Sequence, residues 1–124
     1  MRVQPLRAAL VAAYMAFMYS VSAVPGSWLA GLKLSYGFWD FLHVPLYAGL
    51  ASVTLFAVEA PVWVRIPFAF CVCLAFGFSD EWHQQFVPGR VFSWSDIGND
   101  GLGALLGITA REGFCAAELP RRGG

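Results

Sequence analysis

Four long apolar segments fill most of this chain, and their lengths limit what it can fold into. The segments cover residues 7–24, 40–59, 64–86 and 94–114. A helix of about 20 apolar residues crosses the hydrocarbon core of a bilayer, because each residue adds about 1.5 Å along the axis. With 58% hydrophobic and 13% charged residues, a soluble domain would lack polar surface. The sequence therefore predicts an all-α, integral membrane four-helix bundle, formed by one domain over residues 1–124.

The composition indicates that the lipid bilayer is the main partner, and the charge of the chain indicates no nucleic-acid partner. The formal net charge is zero at pH 7, which gives no electrostatic reason to expect nucleic acid. The first segment could also be a cleaved signal peptide, because small residues at 21–23 follow a basic start. The three cysteines lack metal-ligand spacing, and we interpret them as apolar packing residues. The oligomeric state is left open.

Basic residues are distributed unevenly between the two faces that four crossings create. Both termini and the connection between the second and third segments share one face. That face carries Arg2, Arg7, Arg65, Arg111, Arg121 and Arg122, and the other carries Lys33 and Arg90. Because basic residues favour the cytoplasmic side, we expect both termini in the cytoplasm. The protein is then a multi-pass protein of the cell (inner or cytoplasmic) membrane.

Polar residues of three segments converge at the opposite, extracytoplasmic face. Within each segment they are three or four residues apart, so that they share one side of a helix. The stripes are Asp40, His43 and Tyr47 in the second segment, Glu81, Gln84 and Gln85 in the third, and Asp96 and Asp100 in the fourth. An ionisable side chain facing hydrocarbon at mid-membrane costs about 3 kcal/mol or more. We therefore expect the stripes to face one another and line a polar pocket.

The start of the fourth segment carries signals for helix formation and packing. Ser93 or Ser95 is the expected N-cap, because a serine oxygen there accepts a backbone N–H of the first turn. Gly103 and Gly107 continue the stripe of the aspartates. Small residues at this spacing let two membrane helices approach closely.

Arg90 follows a tight turn that ends the third segment, and two interpretations of it stay open. In the first, Arg90 pairs with Glu81 or Asp96 and closes the pocket. In the second, the guanidinium recognises a phosphate or carboxylate of a ligand through two parallel hydrogen bonds.

The acidic residues at the outer face define the candidate chemistry. All of them cannot stay ionised without a counter-charge, and shared protons, a divalent cation or a cationic ligand would relieve the repulsion. His43 with Glu81 and Asp96 could ligate zinc or manganese, but no His-Glu-x-x-His spacing supports this alternative. We therefore predict no metal ligand and name no cofactor. We predict that Glu81, Asp96 and His43 are catalytic acid–base groups. The predicted ligand-binding residues are Arg90, Gln84, Asp100, Tyr47 and Asp40.

One run of residues resembles a family signature. Glu81-x-x-Gln84-x-Phe86-x-Pro88-Gly89-Arg90, followed by Asp96 and by Asp100-x-x-Gly103-x-x-x-Gly107, closely resembles the signature of VanZ-like membrane proteins. His43-x-x-x-Tyr47 is similar to the histidine–tyrosine pair of that family. The resemblance extends over about residues 40–107. The chain departs from the pattern at Asp100, where the family usually carries asparagine, and at Asp40, which lies three rather than four residues before the histidine.

The resemblance implies a small multi-helix membrane protein of a family named for a member linked to glycopeptide (teicoplanin) antibiotic resistance. Such resistance concerns the cell envelope, which fits a pocket on the outer side. We therefore expect the chain to bind or modify a lipid-linked or other cell-envelope component, with Glu81 as the central acid or base. The alternative is a non-catalytic membrane interaction subunit in which the polar cluster only locks the helix bundle. A transporter is disfavoured, because four short helices leave little room for a pathway.

Overall fold

Helices account for nearly all of residues 1–118, which are the residues that the computed structural model describes. The helices are α1 (Pro5–Ser22), α2 (Gly26–Gly31), α3 (Tyr36–Ala57), α4 (Val62–Gln84) and α5 (Trp94–Glu118). Two short strands, β1 (Arg2–Val3) and β2 (Val58–Glu59), pair in antiparallel fashion. The prediction of an all-helical protein is confirmed. The sequence did not predict the six-residue helix α2.

Two helices are long and apolar enough to cross a membrane within the described part of the chain. They are Gly37–Ala57, which is most of α3, and Val62–Gln84, which is α4. The expected spans at residues 7–24 and 94–114 do not meet the same criterion of length and composition. Four crossings of a membrane therefore stay a prediction.

The helices begin where local chemistry favours a start. Ser35 precedes α3, and its Oγ accepts the backbone N–H of Phe38 at 3.3 Å. Ser93 precedes α5 and accepts the N–H of Asp96 at 3.3 Å, which confirms Ser93 as the N-cap. α1 begins with a proline, Pro5, whose missing N–H costs nothing at a first helical position.

Glycines let α5 lie directly against α3. A side-chain carbon on Gly103 would collide with the carbonyl oxygen of Val44, and one on Gly107 would collide with that of Ala48. The two backbones are thus in contact over about one helical turn. Around this contact lies an apolar core made of Met18, Tyr47, Leu50, Ala51, Leu55, Ala69, Cys73, Ala104 and Ile108.

Charged residues separate to the two ends of the long helices. At one end Arg7 lies 3.8 Å from Glu59, and Arg65 donates to Glu112 at 2.6 Å. Arg111 belongs to the same end, where its guanidinium lies 5.4 Å from the centre of the Phe56 ring. The polar residues discussed below lie at the other end. This separation of charges is what the expected topology requires. The compartment that each end faces stays a prediction. Arg121 and Arg122 lie outside the described residues.

We expect Gly107→Ala to destabilise the protein, because the added methyl group would overlap the backbone of Ala48. Overpacking of this kind costs about 1–3 kcal/mol. Gly113→Ala is the matched control, since Gly113 lies in the same helix with nothing near the new carbon. It should leave stability unchanged or raise it by up to about 1 kcal/mol. Thermal unfolding of both variants in one detergent measures the difference, and equal melting temperatures would contradict the close helix contact.

Candidate functional site

A hydrogen bond between α3 and α5 forms the centre of the polar end. Nδ1 of His43 lies 2.7 Å from Oδ1 of Asp100. Asp100 is completely buried, and its other carboxylate oxygen contacts Gly77 of α4, where any side chain would collide with it. When Asp100 is ionised and His43 is neutral, Nδ1 donates its proton and Nε2 keeps its lone pair. The His43 ring is stacked parallel to Tyr47, with 6.3 Å between the ring centres.

Glu81 and Asp96 lie beside the free nitrogen of His43. Asp96 Oδ2 is 3.9 Å from His43 Nε2. Oε2 of Glu81 accepts the backbone N–H of Ser93 at 2.9 Å, which joins the end of α4 to the start of α5. One ligand atom from each of His43, Glu81 and Asp96 lies within 4.8 Å of the other two. The sequence led us to predict no metal ligand, but these are donor types that divalent cations bind.

Several carboxylate oxygens at this end are buried without a hydrogen-bond partner among the described residues. They are Asp80 Oδ1, Glu81 Oε1, Asp96 Oδ1 and Asp100 Oδ2. A buried acceptor that makes no hydrogen bond destabilises the folded state by about 1–3 kcal/mol. These oxygens can therefore still accept protons, a cation or the donors of a ligand. We call the seven residues His43, Asp80, Glu81, Gln84, Arg90, Asp96 and Asp100 the polar cluster.

Arg90 contacts an amide rather than a carboxylate. Its Nη2 donates to Oε1 of Gln84, and Nε2 of Gln84 donates to Asp80 Oδ2 at 3.2 Å. No carboxylate of the described side chains lies within 4.0 Å of the guanidinium nitrogens. The interpretation that Arg90 pairs with Glu81 or Asp96 is therefore wrong. Gly89 has φ 76°, and this left-handed turn leads the chain from the end of α4 to Arg90.

A cavity of about 90 Å³ adjoins the polar cluster. Of the predicted site residues, its wall includes Asp40, His43, Tyr47, Gln84, Arg90 and Asp96. It adjoins a wider space of about 250 Å³ that Asp40, Gln84, Arg90 and Asp96 also line. Glu81 and Asp100 are not part of either wall. Glu81 lies near His43 and Asp96 of the wall, and Asp100 contacts His43. Asp40 is exposed at the polar end of the bundle.

The sequence analysis missed one side of the cavity. Met18, Val21 and Ser22 of α1 form part of the wall, and Leu29 of α2 forms another part. The spacing of apolar residues shows which of them share a helix face, but it does not show which helix that face contacts. In the sequence, the one signal for this side of the cavity was Ser22, a small polar residue near the end of an apolar helix. In the structure it is buried.

Two polar residues near the end of α4 face away from the polar cluster. His83 stacks on Tyr19 of α1 with 4.2 Å between the ring centres. Gln85 is exposed, and its Nε2 donates to the carbonyl oxygen of Trp82 at 2.9 Å. Gln85 shares a predicted stripe with Glu81, but it is the C-cap of α4 and its side chain is exposed, so this part of the prediction is wrong.

These features define a class: an all-helical protein with membrane-length apolar helices and a buried, carboxylate-rich polar cluster at one end. A family model described as VanZ/LLP1 matches residues 7–111. The chain therefore belongs to the VanZ/LLP1 family, which confirms the resemblance seen in its motifs. Comparison with curated proteins and with solved structures found no match.

We expect Asp100→Leu to lower stability more than Asp100→Asn. The asparagine oxygen can still accept the Nδ1 proton of His43, whereas leucine leaves that buried donor unpaired at a cost of about 1–3 kcal/mol. Adding His43→Leu to Asp100→Leu should recover part of the loss, because an unpaired donor no longer remains. Thermal unfolding of the four proteins tests this. Equal stability of D100N and D100L would show that the hydrogen bond does not hold α3 to α5.

Proposed function

We propose that this VanZ/LLP1 family protein is a multi-pass protein of the cell membrane that binds, or binds and modifies, a lipid-linked or amphiphilic component of the cell envelope. In this proposal the four long helices cross the membrane, both termini lie in the cytoplasm, and the polar cluster faces outward. The observation that carries the proposal is the composition of the cavity wall. Its polar side combines the cationic Arg90 and the amide of Gln84 with His43 and the acidic side chains of Asp40, Asp80 and Asp96. Met18, Leu42 and Leu46 belong to its apolar side.

The Arg90 part of the polar side suits an anionic head group. The guanidinium lines both the cavity and the wider space outside it, and no carboxylate of the described side chains lies within 4.0 Å of it. A guanidinium without a carboxylate partner can bind a phosphate or carboxylate through two parallel hydrogen bonds. Gln84 already orients Arg90 by accepting one of its N–H groups. The apolar side chains then accommodate the lipid part of the same molecule.

The remaining predicted residues take their roles from their distance to the cavity. His43 and Asp96 are in the wall and would contact the ligand directly. Glu81, behind them, would exchange protons with the ligand through His43 and Asp96, and Asp100 would hold the His43 ring. Tyr47 and Asp40 would complete the wall at its inner and outer sides. A link to glycopeptide resistance is part of the same proposal, because such resistance concerns the envelope.

A second candidate function is a non-catalytic interaction subunit in which the polar cluster only locks the bundle. The contacts that favour it are the bond from Ser93 N–H to Glu81 and the bond between His43 and Asp100. Together they connect α3, α4 and α5 in the absence of any ligand. The two functions predict different effects of removing Arg90: loss of ligand binding in the first, and loss of stability in the second. Within the polar cluster, the hydrogen-bond partner of Arg90 is Gln84.

We expect Arg90→Ala to abolish copurification of an anionic lipid in a protein that stays folded. Its melting temperature should fall only by the effect of one lost hydrogen bond to the buried Gln84. Native mass spectrometry of gently solubilised protein would show an adduct in the wild type that is missing in R90A. Lys33→Ala is the matched control, since Lys33 is the other basic residue of that end and does not line the cavity. An adduct that R90A retains would contradict ligand binding at Arg90. No adduct in the wild type, with R90A much less stable, would favour the locking function.

We expect a cysteine at the polar end to react with a membrane-impermeant maleimide in intact cells. Ser27→Cys places an exposed thiol in α2 near that end, and Arg2→Cys places one at the opposite end. The background carries alanine in place of Cys71, Cys73 and Cys115. Labelling of S27C alone in intact cells, and of both variants after lysis, supports the proposed orientation. Labelling of R2C alone would reverse it.

A further inference from the structure

Three side chains from three different helices converge beside the cavity. His43 comes from α3, Glu81 from α4 and Asp96 from α5, and one ligand atom of each lies within 4.8 Å of the others. The 3.9 Å between His43 Nε2 and Asp96 Oδ2 is too long for a hydrogen bond. It suits two ligands of one metal ion, since bonds of about 2.0–2.2 Å place ligand atoms about 3–4 Å apart. Small side-chain rotations would bring all three into that range.

The histidine is already oriented for such a site. Nδ1 of His43 lies 2.7 Å from the buried carboxylate of Asp100, which leaves Nε2 directed toward Asp96. Metal-binding histidines commonly donate the proton of their other nitrogen to a carboxylate, and this contact fixes the ring and the tautomer. In the neutral imidazole, the hydrogen bond therefore places the lone pair of His43 on the side where Glu81 and Asp96 lie, and a cation bound there takes the place of a proton on Nε2.

The carboxylates supply an independent observation that indicates a cation. Glu81 is only 1% exposed, and its Oε1 has no hydrogen-bond partner among the described residues. Oδ1 of Asp96 is likewise buried and without a partner. Among the described side chains, no lysine or arginine nitrogen lies within 4.0 Å of these two carboxylates. A buried carboxylate needs a counter-charge or a proton. In the described part of the chain, His43 is the one basic side chain within 4.0 Å of Asp96.

We propose that His43, Glu81 and Asp96 bind a first-row divalent cation, zinc or manganese, and that Asp100 is a positioning residue for this site. One imidazole nitrogen with two carboxylate oxygens suits these ions. It does not suit calcium, which takes six to eight oxygen ligands. Because His43 and Asp96 line the cavity, the open coordination positions face it. The inference goes beyond the proposed function and does not depend on it, because the metal needs no envelope ligand to bind.

The test measures metal binding by the full-length protein in detergent. Cys71→Ala and Cys115→Ala remove the exposed thiols, which would otherwise bind zinc on their own. After treatment with a chelator, the protein is dialysed against Zn²⁺ or against Mn²⁺, and the bound metal per chain is measured by elemental mass spectrometry. We expect about one ion of one of these metals per chain, together with a rise in melting temperature.

Three variants connect the binding to the proposed ligands. Asp96→Asn should abolish metal binding. Asp100→Asn should raise the Kd by about ten- to a hundred-fold, because a neutral amide oxygen that accepts the Nδ1 proton makes His43 a weaker metal ligand than a carboxylate does. Glu112→Gln is the matched control, because it removes one carboxylate from the opposite end of the bundle. It should bind like the parent protein. A folded parent that takes up neither ion, or equal binding by D96N and E112Q, would overturn the inference.

The outcomes for the metal and for the envelope ligand are separable. A parent protein that binds zinc or manganese but copurifies with no lipid would contradict the proposed function and support the metal site. A protein that keeps its lipid adduct after complete removal of metal, and that rebinds no metal, would support the proposed function and contradict the metal site.

Discussion

The close contact between α3 and α5 determines the geometry of the polar end. Gly103 and Gly107 bring the backbone of α5 against Val44 and Ala48, and one turn further His43 meets Asp100. Within a membrane, helices associate through packing and hydrogen bonds, because lipid is as apolar as the side chains themselves. Both kinds of interaction occur here along a single helix face. The orientation of His43, and hence the position of its free nitrogen, follows from this contact.

Asp80, Glu81 and Asp100 each use one carboxylate oxygen in a hydrogen bond and keep the other without a partner among the described residues. Glu81 uses Oε2 to accept the Ser93 N–H and leaves Oε1 without a partner. Asp100 uses Oδ1 for His43 and leaves Oδ2 without one. A cluster that served only as a lock would gain by satisfying every oxygen, since unsatisfied buried acceptors are destabilising. The remaining capacity is the physical basis for proposing a ligand, a metal or both.

The cavity depends on α1 as much as on the helices that carry the polar cluster. Tyr14 donates its hydroxyl proton to the carbonyl oxygen of Leu46 at 3.0 Å, which connects α1 to the middle of α3. Further along α1, Met18 and Ser22 are buried at the cavity. An apolar wall next to Arg90 is what distinguishes this site from a purely ionic one. It is also the reason to propose an amphiphile rather than a free anion.

The sequence by itself determined the helical class, the family and the stripe of Asp96, Asp100, Gly103 and Gly107. Helical periodicity is a local property, and all four of these residues are buried as their spacing predicts. Only the tertiary structure decided which side chains meet across helices. It paired His43 with Asp100, gave Arg90 to Gln84 instead of a carboxylate, and placed Glu81 behind the cavity wall. Periodicity carries no information on rotation and register between helices, and these depend on how the packed side chains fit together.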